Sequence, residues 1–408
     1  MICVDCMESP ALKRFVLGRG AVDQCDYCQK EEIAVDDQVL LEHVERLFYS
    51  VLVHFDEIDK EFQCQFLGGA DLSIGEIWNI FESQPATVAD EFEEKLINHL
   101  VTEFVFECSG KNRPELFTIN DGELSENQFS SGWKDFLRSI DHSHRFFNRS
   151  AESFLDELFH VLIDDFDLET KGVIAVIDDK QSIYRARVAD SEETISAIKS
   201  DPGAQLGPTP PRLASDQRMS PVGISVFYGA YDRDTCISEI RPLVGDAAIS
   251  GEFRPRKSLK LIDLNRLPDC RISRDIYDDD FVQHAHAATF FNQLVFEMSR
   301  PARRNVGNPY LSTQIIFEYM RVRFKDFADG ILYRSVQQDQ SGHCIALFPD
   351  SGSGGESPLQ FVEGSLRYHR IHAVSYQQRE YDDVGVMNMS EHSLAYFNLT
   401  KERDPHAH

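Results

Sequence analysis

The chain has 408 residues, of which 42% are hydrophobic and 27% charged, and carries a net charge of −27 at pH 7. That length accommodates two or three domains with a sizeable core, and the composition is globular. The acidity argues against general nucleic-acid binding through phosphate contacts and against docking on an anionic membrane, so any nucleotide site has to be locally basic.

No apolar run approaches the length of a transmembrane helix, and MICVDCMESP lacks the basic start and apolar core of a signal peptide. The expected location is the cytoplasm. Near the N-terminus, Cys3, Cys6, Cys25 and Cys28 form two CxxC pairs. Two thiolates three apart in a tight turn reach one tetrahedral Zn²⁺, and a second such turn completes a structural, all-sulfur site. The other cysteines, Cys64, Cys108, Cys236, Cys270 and Cys344, stand among apolar neighbours and read as buried thiols.

From about residue 36 to 165 the pattern is helical. LLEHVERLFYSVLVHF and EFEEKLINHLVTEFVFEC place apolar residues at helical spacing, and SGWKDFLRSIDHSHRFFNRSAESFLDELFHVLIDDF carries two further amphipathic segments. KNRPELFTINDGELSEN between them reads as a loop. The spacing of Arg138 and His144 resembles the R-x(4–6)-H element of HEPN ribonucleases. A solvated polar helix face is the better reading there, because this segment is acidic where RNA needs a basic surface.

After residue 165 the chain turns to strands. GVIAVIDD and SIYRARV are joined by a polar turn at 178–181, and SDPGAQLGPTPPRLASDQRMSPVG is a long Pro/Gly/Ser-rich loop. It leads into RMSPVGISVFYGAYDRDTCISEIRP. There Ile224–Tyr228 reads as a strand released by Gly229, with Val226 and Tyr228 on one face and Phe227 on the other. Asp232 or Asp234 caps a short helix in which Cys236, Ile237 and Ile240 are apolar and Glu239 lies beside them, and Pro242 stops it. KSLKLIDL, GILYRSV, HCIALF and FVEGSLRYHRIHAVSY read as strands. FVQHAHAATFFNQLVFEMS and PYLSTQIIFEYMRVRF read as helices, the second capped near Ser312. Strands with a few inserted helices indicate an α+β fold.

Tyr184 and Arg185 in IYRAR, Tyr228 and Glu239 in FYGAYDRDTCISEIRP, and Ser335 in GILYRS follow the order found in the RES domain, a family named after its Arg, Glu and Ser. The resemblance takes in PYLSTQIIFEYMRVRFKDFADGILYRS and CIALF, and spans roughly residues 174–376. The paired CxxC turns with the helical segment resemble a HEPN/RES N-terminal type of module. The resemblance implies a zinc ribbon at 1–35, an all-helical HEPN-like domain at 36–165, an ADP-ribosyltransferase-like mixed β/α domain at 166–380 and a tail at 381–408. It further implies an enzyme that removes nicotinamide from NAD⁺ by phosphorolysis or hydrolysis. Many members are toxins held by an antitoxin protein, and a homodimer is a further expectation because such bundles often dimerise. Many RES domains carry an RWN-type segment where this chain has Arg218–Met219–Ser220.

The residue types suit that chemistry. A carboxylate, here Glu239, favours the positive charge that builds on ribose as nicotinamide departs. Arg185 offers a planar fork to pyrophosphate. Tyr228 can stack on nicotinamide, and Ser335 can orient nicotinamide or ribose through its hydroxyl. Arg187, Arg218, Gln314 and His343 are second candidates for binding the dinucleotide. Three other readings compete: a mono-ADP-ribosyltransferase, an interaction protein with an inactive RES-like half, and a ribonuclease acting through Arg138 and His144.

Overall fold

A computed structural model describes residues 1–375 and 380, apart from 70–71, 105–115, 164–171, 269–274, 300–307, 336, 338–340 and 350–356. Cys108, Cys270 and the tail 381–408 lie outside the described residues.

The first unit is a small sheet with one helix on it. β1 (Ile2–Cys3) and β2 (Ala21–Gln24) both pair antiparallel with β3 (Glu31–Val35), and α1 (Pro10–Arg19) packs against it. Ser9 caps α1 by accepting from Leu12 N at 3.0 Å. α2 (Asp37–Val51) buries Leu40, Leu41, Val44, Leu47, Phe48 and Val51 at helical spacing, and Asp36 caps it. The chain then runs directly into β4 (Leu52–His54), followed by α3 (Lys60–Leu67), α4 (Ile77–Ser83), α5 (Asp90–Phe104) and β5 (Phe117–Ile119). β4 and β5 pair antiparallel, which corrects the all-helical reading of this segment. LVH closes a run that reads as helical, and FTI lies in the segment that reads as a loop; strands of three residues are too short to show a period of their own. Cys64 is exposed on α3 and so is not a buried thiol, whereas Cys236 and Cys344 are buried.

α6 (Gln128–His142) and α7 (Arg149–Ile163) are strongly amphipathic. Trp133 stacks on Phe136 at 4.9 Å, and the buried stripe Phe129, Trp133, Phe136 and Ile140 joins Leu155, Leu158 and Phe159 of α7 in one core. On the opposite, solvated side, Arg138 pairs with Asp135 at 2.7 Å, both well exposed. His144 lies past the end of α6 and shares a hydrogen bond with Ser143.

The remaining elements, in chain order, are β6 (Ile174–Ile177), β7 (Ile183–Val188), α8 (Glu192–Ser200), α9 (Pro202–Leu206), β8 (Phe227–Ala230), α10 (Arg233–Glu239), β9 (Ala247–Pro255), β10 (Leu259–Asp263), α11 (Phe281–Ser299), α12 (Leu311–Phe324), β11 (Gly330–Arg334), β12 (His343–Leu347), β13 (Leu359–Phe361) and β14 (Arg367–Arg370). They build a sheet in the order β13-β9-β7-β8-β12-β11-β10-β6, with β14 also on β9. Among the described residues, only β10 and β11 run parallel. β8 starts three residues later than the sequence reading, and Gly229 lies inside it, paired with Ile345. Ser312 lies within α12, whose N-cap is Tyr310 with no side-chain cap bond.

Two features of the sheet create the cleft. β7 holds β9 along its whole length, from Ile183↔Phe253 to Val188↔Ala248, yet meets β8 only at Tyr184↔Ala230. Past that pair the strands diverge, and the sheet divides into two halves. The halves also curl together. A flat sheet would set β6 about 24 Å from β7, at about 4.8 Å per strand. Instead only residues 178–182 join them, tightened by Gln181 N donating to Asp178 O, and Ile177 and Ile183 share one apolar cluster. That cluster, with Phe227, Phe253, Leu261, Leu332 and Ile345, fills the space between the halves. On the outer face α11 and α12 pack against α6 and α7, so Phe290, Phe291, Phe317 and Met320 share the core of the aromatic stripe above.

The segment leading into α11 ties this sheet to the N-terminal unit. Ile276 and Tyr277 are buried in the N-terminal core, beside Leu12, Phe48 and Phe92. Asp275 accepts from Ser9 Oγ and from Ala11 N, and Asp278 pairs with Arg14.

Candidate active site

A cavity of about 940 Å³ opens where β7 and β8 part. Its walls come from β7 (Tyr184, Arg185, Arg187), the 209–218 loop, β8 (Tyr228), α10 and its exit (Cys236, Glu239, Arg241), and the neighbouring Tyr310, Tyr333 and Cys344. Pockets for small ligands span about 300–1,000 Å³, so this one is large enough for an extended ligand.

Glu239 is the last residue of α10 and half-buried. Asp232 caps the helix by accepting from Thr235 N at 2.7 Å, while Arg241 at φ 47° and Pro242 end it. Ser335, fully buried, donates its hydroxyl to Glu239 Oε1 at 2.5 Å and accepts from Gln337 N. Ser335 therefore braces the carboxylate and does not itself line the cavity. This bond requires the β11–β12 turn to come close to α10. A Cβ on Gly342 would sit 2.2 Å from Thr235 Oγ1, so only glycine fits there.

The cations are placed with spare donors. Arg185 Nη1 and Arg218 Nη1 are both buried and without a hydrogen-bond partner among the described residues. Each guanidinium lies near an aromatic ring instead, Arg185 at 5.1 Å from Phe227 and Arg218 at 5.9 Å from Tyr333. Burial, with Arg187 adding to it, brings the Arg185 guanidinium down to about 10, against an opposing pull from Tyr228, and it stays charged at neutral pH. A buried charge with an unused donor costs several kcal/mol unless an anion arrives to meet it. Arg187 is exposed at the rim and donates to Gln205 Oε1 at 3.3 Å.

Tyr228 faces the cavity, but its hydroxyl is engaged, accepting from Met219 N at 3.1 Å and sharing a hydrogen bond with Ser220 Oγ at 3.1 Å. Burial raises its hydroxyl above the ordinary value, while these two bonds and the nearby arginines work the other way. Burial pushes the Tyr333 hydroxyl up strongly, with the nearby Glu239 carboxylate adding to it and Arg218 opposing. Burial also pushes the Cys236 thiol up to about 12, which leaves it an inert wall residue.

Two candidates stand off the cavity wall. Gln314 is buried, and its amide donates to Asp216 Oδ1 and to Gln217 O, each at 2.8 Å. His343 opens β12 and stacks on Tyr231 at 5.9 Å, with 18° between the rings. Tyr310, Tyr333, Asp216 and Arg241 line the cavity without having been singled out in the sequence. For Tyr333 a signal existed, because it stands two residues before Ser335 and strand alternation puts both on one face.

The four N-terminal cysteines form a separate cluster. Cys3–Cys28, Cys3–Cys6 and Cys6–Cys25 sulfurs are 3.4, 3.7 and 3.8 Å apart, and all four lie within 4.8 Å of one another. A tetrahedral ion with bonds of about 2.3 Å sets its sulfurs about 3.8 Å apart, so the cluster fits a metal ion. Burial works against a thiolate at Cys25, but N–H groups of Cys28, Tyr27 and Cys3 outweigh it and bring that thiol to about 7.

No helix among the described residues is long and apolar enough to cross a membrane. None of the curated proteins matches the chain. A family model does match it. Residues 182–370 fit the RES domain, a span that runs from the first residues of β7 to the end of β14 and contains every wall of the cavity. Over those residues, a little under half of the chain, the sequence carries a RES domain.

Proposed function

We infer that the chain cleaves the bond between nicotinamide and ribose in NAD⁺. One observation carries the reading. Two buried guanidiniums with unused donors, Arg185 and Arg218, line the same cavity as a carboxylate, Glu239, in a protein otherwise dominated by negative charge. A pyrophosphate brings the two negative charges that the arginines lack, through charge-assisted hydrogen bonds that suit the guanidinium fork. Glu239 then faces the ribose. As the C–N bond breaks, its electron pair stays on the pyridine nitrogen, so nicotinamide leaves neutral and needs no acid. Positive charge collects at the anomeric carbon, and the fixed carboxylate stabilises it more in the transition state than in the ground state. Water or inorganic phosphate attacks that carbon and gives up a proton, leaving ADP-ribose or its 1-phosphate. The split sheet supports an ADP-ribosyltransferase-like fold for this domain. The cysteine cluster holds a structural Zn²⁺ that braces the N-terminal unit.

An enzyme that empties the NAD⁺ pool harms its own cell, so a protein antitoxin covering the cleft belongs with this reading. Incubating the purified protein with NAD⁺, with and without phosphate, and separating the products tests it. Free nicotinamide appears in both cases if water is the acceptor, and only with phosphate if the reaction is phosphorolysis. ADP-ribose attached to a protein instead identifies a transferase. NAD⁺ left intact by folded protein refutes the reading.

A further inference from the structure

The hydrogen bonds around the 216–220 turn are distributed unevenly. Gln217 and Ser220 close the turn with two backbone hydrogen bonds, 2.9 and 3.2 Å, leaving Arg218 and Met219 at its centre. Five further contacts hold it from outside. Gln314 Nε2 donates to Asp216 Oδ1 and Gln217 O, Thr313 Oγ1 donates to Arg218 O, and the Tyr228 hydroxyl meets Met219 N and Ser220 Oγ. Thr313 and Gln314 are both buried in the first turn of α12, and Met219 is buried beneath the turn. The Arg218 carbonyl is thus fixed, while Nη1 at the far end of the same residue has no partner among the described residues. The protein holds the backbone firmly and leaves the guanidinium head for a ligand.

We propose that Thr313 and Gln314 are positioning residues whose task is to hold the 216–220 turn so that Arg218 presents its guanidinium to the anion in the cleft. The proposal rests on the NAD⁺ reading for the identity of that anion, but not for the mechanical link. Each bond has a plain reason. A Gln side chain at the start of α12 reaches both a carboxylate and a carbonyl, which needs an amide with two N–H donors. Preorganising one arginine in this way avoids the entropy of ordering a long, flexible side chain and its loop when substrate binds. The effect therefore falls on substrate capture and not on the bond-breaking step.

Two variants and two readouts test this. Gln314→Met keeps the volume and removes both donors. Gln314→Glu sets a second carboxylate against Asp216, so one proton shared between the two is held to a higher pH than usual. The expected result for Gln314→Met is a KM for NAD⁺ raised about tenfold at every pH, with kcat changed less than about threefold. Gln314→Glu shows the same defect at pH 8 and recovers about half of it, on a logarithmic scale, near pH 5.5, where the protonated acid donates to Asp216 but still leaves the Gln217 carbonyl without its donor. Hydrogen exchange provides the second readout. In Gln314→Met the amides of 217–220 exchange at least about tenfold faster, while those of β7 and β9 do not change. Unchanged KM in both variants, a pH-independent Gln314→Glu, or unaltered exchange at 217–220 would each overturn the proposal. If wild-type protein does not consume NAD⁺, the functional reading fails while the exchange experiment still decides whether the clamp exists.

Discussion

Replacing Glu239 by glutamine is expected to lower kcat for NAD⁺ cleavage by about 10²–10³, the usual cost of removing one preorganised electrostatic partner of a transition state. The protein should remain folded. Ser335 donates to Glu239 Oε1, and a glutamine oxygen accepts the same bond, so the brace survives and only the charge is lost. KM should move less than about threefold, because the pyrophosphate contacts assigned to Arg185 and Arg218 are untouched. Single-turnover measurements of nicotinamide release separate the two parameters. A variant that turns over within about threefold of wild type would remove Glu239 from the chemistry and leave it a helix-end carboxylate held by a serine.

The second large effect concerns the cysteine cluster. We expect one zinc ion per chain by elemental analysis, and expect Cys25→Ser or a strong chelator to destabilise the N-terminal unit by several kcal/mol. Structural zinc contributes about 10–16 kcal/mol of apparent binding free energy, much of it realised as folding. Cys3 and Cys25 are fully buried and share a core with Ile2, Leu12 and Val16. Ile276 and Tyr277 are anchored in that core, so loss of the ion should also loosen the start of α11. Calorimetry with and without chelator reads the change. Metal-free protein with an unchanged unfolding temperature, together with a silent Cys25→Ser substitution, would show that the four thiols need no ion.

Much of this organisation was legible in the sequence because local chemistry announces it. The CxxC pairs suit one four-sulfur cluster, and the structure brings all four thiols together; α2 and α6 repeat apolar residues at their own period, and Asp232 caps α10 as a short side chain before a helix does. β9, the longest strand, carries no such signal. Ala248–Gly251 are buried without a break, alternation sets in only from Glu252, and Ser250 and Gly251 interrupt the apolar run. Both have tertiary reasons. Ser250 accepts from Arg233 Nη1 and shares a hydrogen bond with His369, and a Cβ on Gly251 would sit 2.8 Å from Leu206 and Phe361 side chains.

The site divides in the same way. The order of Arg185, Tyr228, Glu239 and Ser335 was visible, but their relation to the cavity was not. That Ser335 and Gln314 support other groups, and that His343 stacks outside the cleft, depends on contacts between residues 96, 98 and 112 positions apart. No local pattern encodes those. The middle segment misled for a related reason: β4 is too short to break the helical count it ends, β5 is three residues inside a run of turn formers, and the two pair across more than sixty residues.

A crystal structure of the Glu239→Gln protein soaked with NAD⁺ decides most directly whether the cleft binds the dinucleotide in this way. Pyrophosphate oxygens are expected at hydrogen-bond distance, about 2.7–3.2 Å, from Nη1 of both Arg185 and Arg218, with the nicotinamide ribose against residue 239. A dinucleotide bound elsewhere, or a cleft in which both guanidiniums stay unpaired at saturating NAD⁺, would contradict that placement.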